Sequence, residues 1–289
     1  MNQLTPKIAL VVCTRNRANK LAAFFEPLKR LECQWPWELI IVNSGSTDDT
    51  SDRLKLFAAG YSGKVTLVTE SQPGLGRARN RGWRTTNAPI IAFTDDDCYP
   101  TPSFLNDVLT VFDEESIGFS GGRILLHDDS DARITIYECP TEITYNANGF
   151  IGCGGIQGAN MAFRRQALVD IDGFDDTLGA GTPFAFEDVD AELRALAAGW
   201  QGKYDPRPTV YHHHGRKVGS DVDKLNQVYH SARGAFHAKC LLFMPQRRFC
   251  LALWLRSMKK QPLIQTYREV KSALRYSFYL LKQRPNVTY

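Results

Sequence analysis

Short apolar runs alternate with amphipathic stretches through the first hundred residues. Ile8 to Cys13 is an unbroken apolar run and predicts a buried strand, and Ala18 to Leu31 predicts an amphipathic helix. A second strand is expected over Glu38 to Val42. It ends in Asn43-Ser44-Gly45-Ser46-Thr47, a turn that also offers Ser and Thr as helix caps. A helix from Asp49 to Ala59, a strand at Val65 to Thr69, a helix from Arg77 to Thr85 and a β-rich run at Ile90 to Thr94 follow. Strand and helix in this rhythm predict a parallel sheet with right-handed crossovers. Such sheets bind ligands at the carboxyl ends of their strands. Three polar clusters fall there: Thr14-Arg15-Asn16, Asn43-Ser44-Gly45 and Asp95-Asp96-Asp97.

Further along, Thr101-Pro102 opens a helix from Ser103 to Phe112. Gly118 to Ile156 predicts strands with a long loop around Asn146 to Gly155. Glu187 to Ala198 reads as a helix stopped by Gly199, before short strands near Gln201 to Tyr204 and near Val210. Beyond Arg216 the pattern becomes helical. Cys250, Leu251, Trp254, Leu255 and Met258 share one helical face, opposite Arg248, Arg256, Lys259 and Lys260. Tyr267, Val270, Leu274, Phe278 and Leu281 form a second stripe beside Arg268, Lys271, Arg275 and Lys282. The expected fold is α/β: a Rossmann-like, mostly parallel sheet flanked by helices over residues 1–215, with a basic helical extension over 216–289.

Composition adds three constraints. At 43% hydrophobic and 23% charged, 289 residues form a globular protein with a substantial core. The apolar run at Ile8 to Cys13 is too short for a signal peptide, no stretch reaches the roughly 18 apolar residues that span a bilayer, and the seven cysteines include no C-x-x-C pair. A reduced, cytoplasmic protein is expected. The net charge of +4 hides an asymmetry: residues 1–215 carry 20 Lys+Arg against 28 Asp+Glu, and residues 216–289 carry 15 against 3. A basic end of this kind fits an anionic membrane surface, which would attach the protein peripherally to the inner face of the membrane, or a lipid-linked acceptor. It would equally suit docking on the chain's own acidic body or a homodimer contact. No nucleic-acid partner is expected.

Four clusters carry candidate chemistry. Asp95-Asp96-Asp97 ends a strand with three carboxylates that repel one another unless a hard cation such as Mn²⁺ or Mg²⁺ neutralises them. An acidic turn capping the next helix is the alternative. Gln72-Pro73-Gly74-Leu75-Gly76 before Arg77 and Arg79 would bring backbone N–H groups and fixed charge to a phosphate, though it matches neither a P-loop nor a dinucleotide fingerprint. Glu187-Asp188 at a helix start serves as ordinary capping or supplies a general base. In Tyr211-His212-His213-His214, alternation puts His212 and His214 on one face, where one of them would complete a metal shell; a solvated loop is the alternative.

Taken in order, these segments resemble the family-2 glycosyltransferases with the A-type nucleotide-sugar fold. The likeness rests on Cys13-Thr14-Arg15-Asn16, Val42-Asn43-Ser44-Gly45-Ser46-Thr47-Asp48, Gly76-Arg77-Ala78-Arg79-Asn80-Arg81-Gly82 and Asp95-Asp96-Asp97. It continues through Gly158-Ala159-Asn160, Gly173-Phe174-Asp175 and Glu187-Asp188-Val189-Asp190, spanning residues 6–215. The resemblance implies an inverting, metal-dependent transfer of sugar from a nucleotide-diphosphate donor to a hydroxyl of a glycan, a lipid-linked molecule or another acceptor. It implies that Thr14, Arg15, Asn43 and Ser44 hold the nucleoside, Asp95 and Asp96 the ribose side and Arg79 the diphosphate. Asp97, with His212 or His214, would bind Mn²⁺ or Mg²⁺. Gly158, Ala159, Asn160 and Glu187 would shape the donor-sugar and acceptor side, and Asp188 would be the catalytic base. Asn43-Ser44 departs from the family's usual acidic pair, which leaves the base open. Rivals are a sugar nucleotidyltransferase, which wants a Gly-rich loop after the first strand; a glycoside hydrolase, which needs no metal triplet; and a non-catalytic nucleotide- or glycan-binding protein.

Overall fold

The computed structural model describes residues 5–283. Its first half follows the expected rhythm: β1 (Ile8–Thr14), α1 (Leu21–Lys29), β2 (Trp37–Ser44), α2 (Thr50–Gly60), β3 (Val65–Glu70), α3 (Leu75–Thr85) and β4 (Ile90–Asp95). Then come β5 (Cys98–Pro100), α4 (Phe104–Val111), β6 (Ile117–Leu126), β7 (Ile143–Tyr145), β8 (Asn160–Arg164), α5 (Arg165–Asp170), α6 (Glu187–Ala197) and β9 (Gln201–His212). The chain ends in α7 (Ser220–Phe243), α8 (Arg247–Met258) and α9 (Leu263–Gln283).

All the strands join one mixed sheet, ordered β3-β2-β1-β4-β8-β6-β9-β5, with β7 on β9. The β3-β2-β1-β4 half is parallel throughout, whereas β8 runs antiparallel to both β4 and β6. Because successive strand residues face opposite sides, the apolar runs fill two cores at once. Ala9, Val11, Ile40, Val42, Ile91 and Phe93 line one face, and Ile8, Leu10, Val12, Leu39, Ile41 and Ala92 line the other. The two short strands expected near 201–204 and 210 are a single strand. Its register against β6 slips between Gly121 and Arg123, a bulge that admits Pro206 and Pro208 within β9.

The C-terminal helices pack on this body. Lys239 of α7 reaches Asp175 at 2.5 Å and Asp190 at 2.6 Å. Leu178 and Phe184 of the body share an apolar cluster with Ala235, Trp254, Ala273 and Tyr276. Basic charge from the tail therefore does meet the acidic body. Both predicted stripes are oriented differently from a simple inward-facing pattern. In α8, Cys250 and Trp254 are buried while Leu251 and Leu255 are exposed; in α9, all five stripe residues are exposed, and Glu269, Ala273 and Tyr276 face inward. The reason lies in α7. Gly234 lets the two backbones approach so closely that a Cβ there would stand 1.9 Å from the Glu269 carbonyl oxygen. Arg233 at 2.6 Å and the Trp254 indole at 2.8 Å then satisfy the Glu269 carboxylate. Gly234→Ala should force α9 away from α7 and lower stability by roughly 2 kcal/mol, read as a drop in the urea midpoint. An unchanged midpoint would mean that this close approach is not needed.

Candidate functional site

The site is assembled at the carboxyl edge of β1, β2 and β4. The turns after β1 and β2 are stitched together: Asn16 Oδ1 accepts from the Thr47 N–H at 2.8 Å, the Asn16 N–H donates to Ser46 Oγ at 3.0 Å, and the Arg17 N–H donates to Thr50 Oγ1 at 2.8 Å. Asn43 and Ser44 are buried beneath this seam, with Asn43 Oδ1 accepting from the Ser46 N–H, while Arg15 projects into solvent.

The three carboxylates diverge in environment. Asp96 is buried, accepts from the Thr14 hydroxyl at 2.5 Å and pairs with Arg17 Nε at 3.1 Å. Burial pushes its pKa up to about 6, against the opposing pull of Arg17 and Thr14. Asp97 lies between Arg17 Nη2 at 2.8 Å and His212 Nε2 at 3.5 Å. Burial opposes its charge, yet His212 and Arg17 outweigh burial and hold its pKa at about 2. Asp95 keeps about a third of its side chain exposed, 3.5 Å from Arg79 Nη2.

Arg79 is the hinge of the opposite wall. Its guanidinium is only 3% exposed and donates to Glu187 Oε1 at 2.5 Å and to the Gly158 carbonyl at 3.2 Å. Burial pushes the Glu187 carboxyl up to about 7, although Arg79 pulls the other way. Gly158 has no room for a side chain, since a Cβ would lie 2.5 Å from Arg79 Nη2. Its N–H donates to Asp188 Oδ2 at 2.8 Å, and Asp188 Oδ1 accepts from the Val189 N–H at 2.9 Å. Arg79, Gly158 and Asp188 are thus one connected unit at the start of α6.

The family model for glycosyl transferase family 2 matches residues 9–172, more than half of the chain and the span that builds this edge. The chain belongs to glycosyl transferase family 2. It is 22% identical over 259 residues to the glycosyltransferase AglE of Haloferax volcanii, covering 88% of this chain and 82% of that one. Over 245 residues it is 24% identical to the O-antigen chain rhamnosyltransferase WbaN of Salmonella anatum, covering 81% and 73%. Among solved structures, S. aureus TarS 1-349 in complex with UDP-GlcNAc superposes with a TM-score of 0.65 at 14% identity, over 92% of this chain and 79% of that one. The mannosyltransferase PcManGT of Pyrobaculum calidifontis, in complex with GDP-Man and Mn2+, gives 0.58 at 16% identity, over 98% and 82%. At such identities the superpositions establish a shared fold.

Within this family-2 glycosyltransferase, the sequence-predicted residues separate into those that meet at the cleft and those drawn elsewhere. Asp95, Asp97, His212, Glu187 and Asp188 converge. His214 lies beside His212 as alternation predicts, ring centroids 5.0 Å apart, but both its ring nitrogens are engaged: Nε2 donates to the Ala132 carbonyl at 3.0 Å and Nδ1 accepts from the Arg216 N–H at 3.0 Å. Asn160 is likewise committed, its amide donating to the carbonyls of Arg123 at 2.9 Å and Pro208 at 3.0 Å, and Ala159 is buried in the core. Nor does the glycine run before α3 form an open phosphate cradle, because the Leu75 N–H at the helix start donates to the Ala180 carbonyl at 2.9 Å. The protein's own loop covers that terminus.

Three residues escaped the sequence reading. Arg17 grips two of the three carboxylates, and its only local signal is a cation beside the turn after β1. Glu192 lies one turn beyond Asp188, fully buried with neither carboxyl oxygen hydrogen-bonded, and burial pushes its pKa well up. Tyr229 of α7 stacks on Phe186, ring centroids 5.9 Å apart, immediately before Glu187-Asp188. Phe186 itself holds a left-handed φ of 77°, a strain that collects at functional sites.

The donor set suits a divalent cation. The Asp97 carboxylate, the His212 imidazole and the Cys98 sulfur fall within 4.8 Å of one another. Without a cation, burial raises the Cys98 pKa well above its usual value.

Proposed function

We propose that this glycosyltransferase moves a sugar from a nucleotide-diphosphate donor to an acceptor hydroxyl in a single displacement that inverts the anomeric centre. The observation that carries the reading is the pairing of a cation-binding edge, Asp97 with His212, and a separately held carboxylate, Asp188 on the Gly158 N–H. In this scheme the stitched turns holding Thr14, Arg15, Asn43 and Ser44 receive the nucleoside, and Asp95 offers its exposed oxygen to the ribose. Asp97 and His212 would hold Mn²⁺ or Mg²⁺, which when bound neutralises charge on the departing diphosphate. Asp188 takes the proton of the acceptor hydroxyl as that oxygen bonds to the anomeric carbon. The bond from that carbon to the phosphate oxygen breaks, and its electron pair leaves with the nucleoside diphosphate. Arg79 acts through others, fixing Asp95, Glu187 and Gly158 rather than presenting an open guanidinium to phosphate. Arg17 neutralises Asp96 and Asp97 until substrate charge arrives.

Residues 1–215 form the transfer domain in this reading, and residues 216–289 a region for attachment. The O-antigen and UDP-GlcNAc names among the similar proteins support a glycan or glycolipid product, with the sugar and base left to assay. The deciding experiment screens nucleotide sugars for nucleoside-diphosphate release with Mn²⁺, Mg²⁺ or a chelator. Release from one donor, abolished by chelation and lowered about 10²-fold or more in Asp97→Ala, is expected. Full activity in chelator, or in Asp97→Ala, would refute the metal role.

A further inference from the structure

The outer face of α9 has no counterpart in the sugar-transfer scheme. Leu263, Ile264, Tyr267, Leu274, Phe278 and Leu281 are 56 to 86% exposed. At about 100° per residue they fall within an arc of about 100° along the helix. The opposite arc, with Glu269, Ala273 and Tyr276, is buried in contacts with α7 and its neighbours. The helix is therefore already held by one side while its more apolar side faces out, the reverse of what folding alone requires of an amphipathic helix.

Charge identifies the occupant. Arg268, Lys271, Arg275 and Lys282 run along one flank of the apolar arc. From Arg247 to Lys282 the chain carries nine Lys and Arg and a single acid, Glu269, which is buried and paired with Arg233 at 2.6 Å. A second copy of the chain would bring the same cations to the contact and no exposed acid from this segment to balance them. A surface of anionic headgroups over an apolar interior matches both the stripe and its flank. No helix among the described residues is long and apolar enough to cross a membrane, so attachment would be in the plane. Trp254 and Tyr276 are 7% and 0% exposed and take no part.

We propose that α9 is an in-plane membrane helix, seating its apolar arc at the headgroup boundary of an anionic bilayer with its basic flank on the lipid phosphates. Because α7 holds α9 on one side and stacks Tyr229 beside the Asp188 segment, docking would keep the cleft close to the bilayer. The proposal does not depend on the reaction assigned above, and its test reads binding alone.

The full chain is sedimented with vesicles of phosphatidylcholine, alone or mixed with phosphatidylglycerol. Binding to the mixed vesicles at least roughly tenfold tighter, and weakening as salt rises, is expected. Leu274→Ser with Phe278→Ser should abolish it, and Arg268→Gln with Lys271→Gln and Arg275→Gln should remove the preference for anionic lipid. The second set changes flank cations that are half-buried (Arg268) or exposed (Lys271, Arg275), so it remains informative if the serine pair unfolds. Absent binding, or equal binding to both vesicle types, overturns the proposal. So does a dimer in sedimentation velocity that disappears with the serine pair, which would assign the face to a second copy.

Discussion

Asp188→Asn is expected to lower sugar transfer by about 10³-fold while leaving nucleotide affinity close to that of the parent protein. The substitution keeps the size of the side chain and removes its basicity. Asp188 now accepts two backbone N–H groups, from Gly158 and from Val189. An amide has one oxygen, so one of those donors would face an NH₂ group, a loss of roughly 1 kcal/mol that the fold can absorb. Stability should change little, and the deficit should appear in kcat. Transfer measured with labelled donor, beside nucleotide binding by calorimetry, separates the two quantities. Turnover within a few-fold of the parent would end the assignment of Asp188 as base. A parallel collapse of nucleotide affinity would instead make it a donor-site residue.

Arg79→Met is the second large effect, and it is chiefly one of stability. The side chain is 3% exposed and compensates Glu187, itself buried, and Asp95. Breaking a buried pair from one side leaves an uncompensated charge, which costs about 3 to 5 kcal/mol. The loss should depend on pH in a definite sense. Burial already raises the Glu187 pKa above its unfolded value, and Arg79 is the group that opposes this. Without Arg79 the folded pKa rises further. A group with a raised folded pKa stabilises the fold below its unfolded pKa and loses that contribution as pH climbs through the folded value. The deficit of Arg79→Met should therefore be smallest near about pH 5 and widen toward about pH 8. Urea denaturation at several pH values measures it, and a deficit independent of pH would place the cost outside the Glu187 pair. Arg79→Lys, which keeps charge but lacks the fork that spans Glu187 and the Gly158 carbonyl, should retain part of the stability.

The two results bear on different levels of one arrangement. Gly158 passes the constraint on, since its carbonyl accepts from Arg79 and its N–H donates to Asp188. A stabilising cluster and the proposed base share a single peptide segment. For that reason Arg79 variants should lose activity even where they remain folded.

What the sequence determined by itself is the parallel half of the sheet and its polar edge. Ile8–Thr14, Trp37–Ser44 and Ile90–Asp95 are strands because continuous apolar runs of that length must be covered on both faces, and the polar residues at their ends hydrogen-bond the turns that follow. Local pattern suffices where burial is nearly complete. It also located Asp95-Asp96-Asp97 and Glu187-Asp188, whose adjacency in the chain is a chemical signal in its own right. The tertiary structure alone decided which members of each cluster act together. Arg17 pairs with both Asp96 and Asp97, and what separates them is that Asp96 also meets Thr14 while Asp97 also meets His212; those contacts lie about 80 or more residues apart in sequence, which no periodicity encodes. His214 stays beside His212, but the Ala132 carbonyl and the Arg216 N–H take both of its ring nitrogens. In α9 an apolar stripe did not mean a buried stripe: the close approach at Gly234 and the ion pair to Glu269 fixed which side met α7. A hydrophobic pattern records that one face avoids water, but only the packed neighbours determine whether protein or something else must cover it.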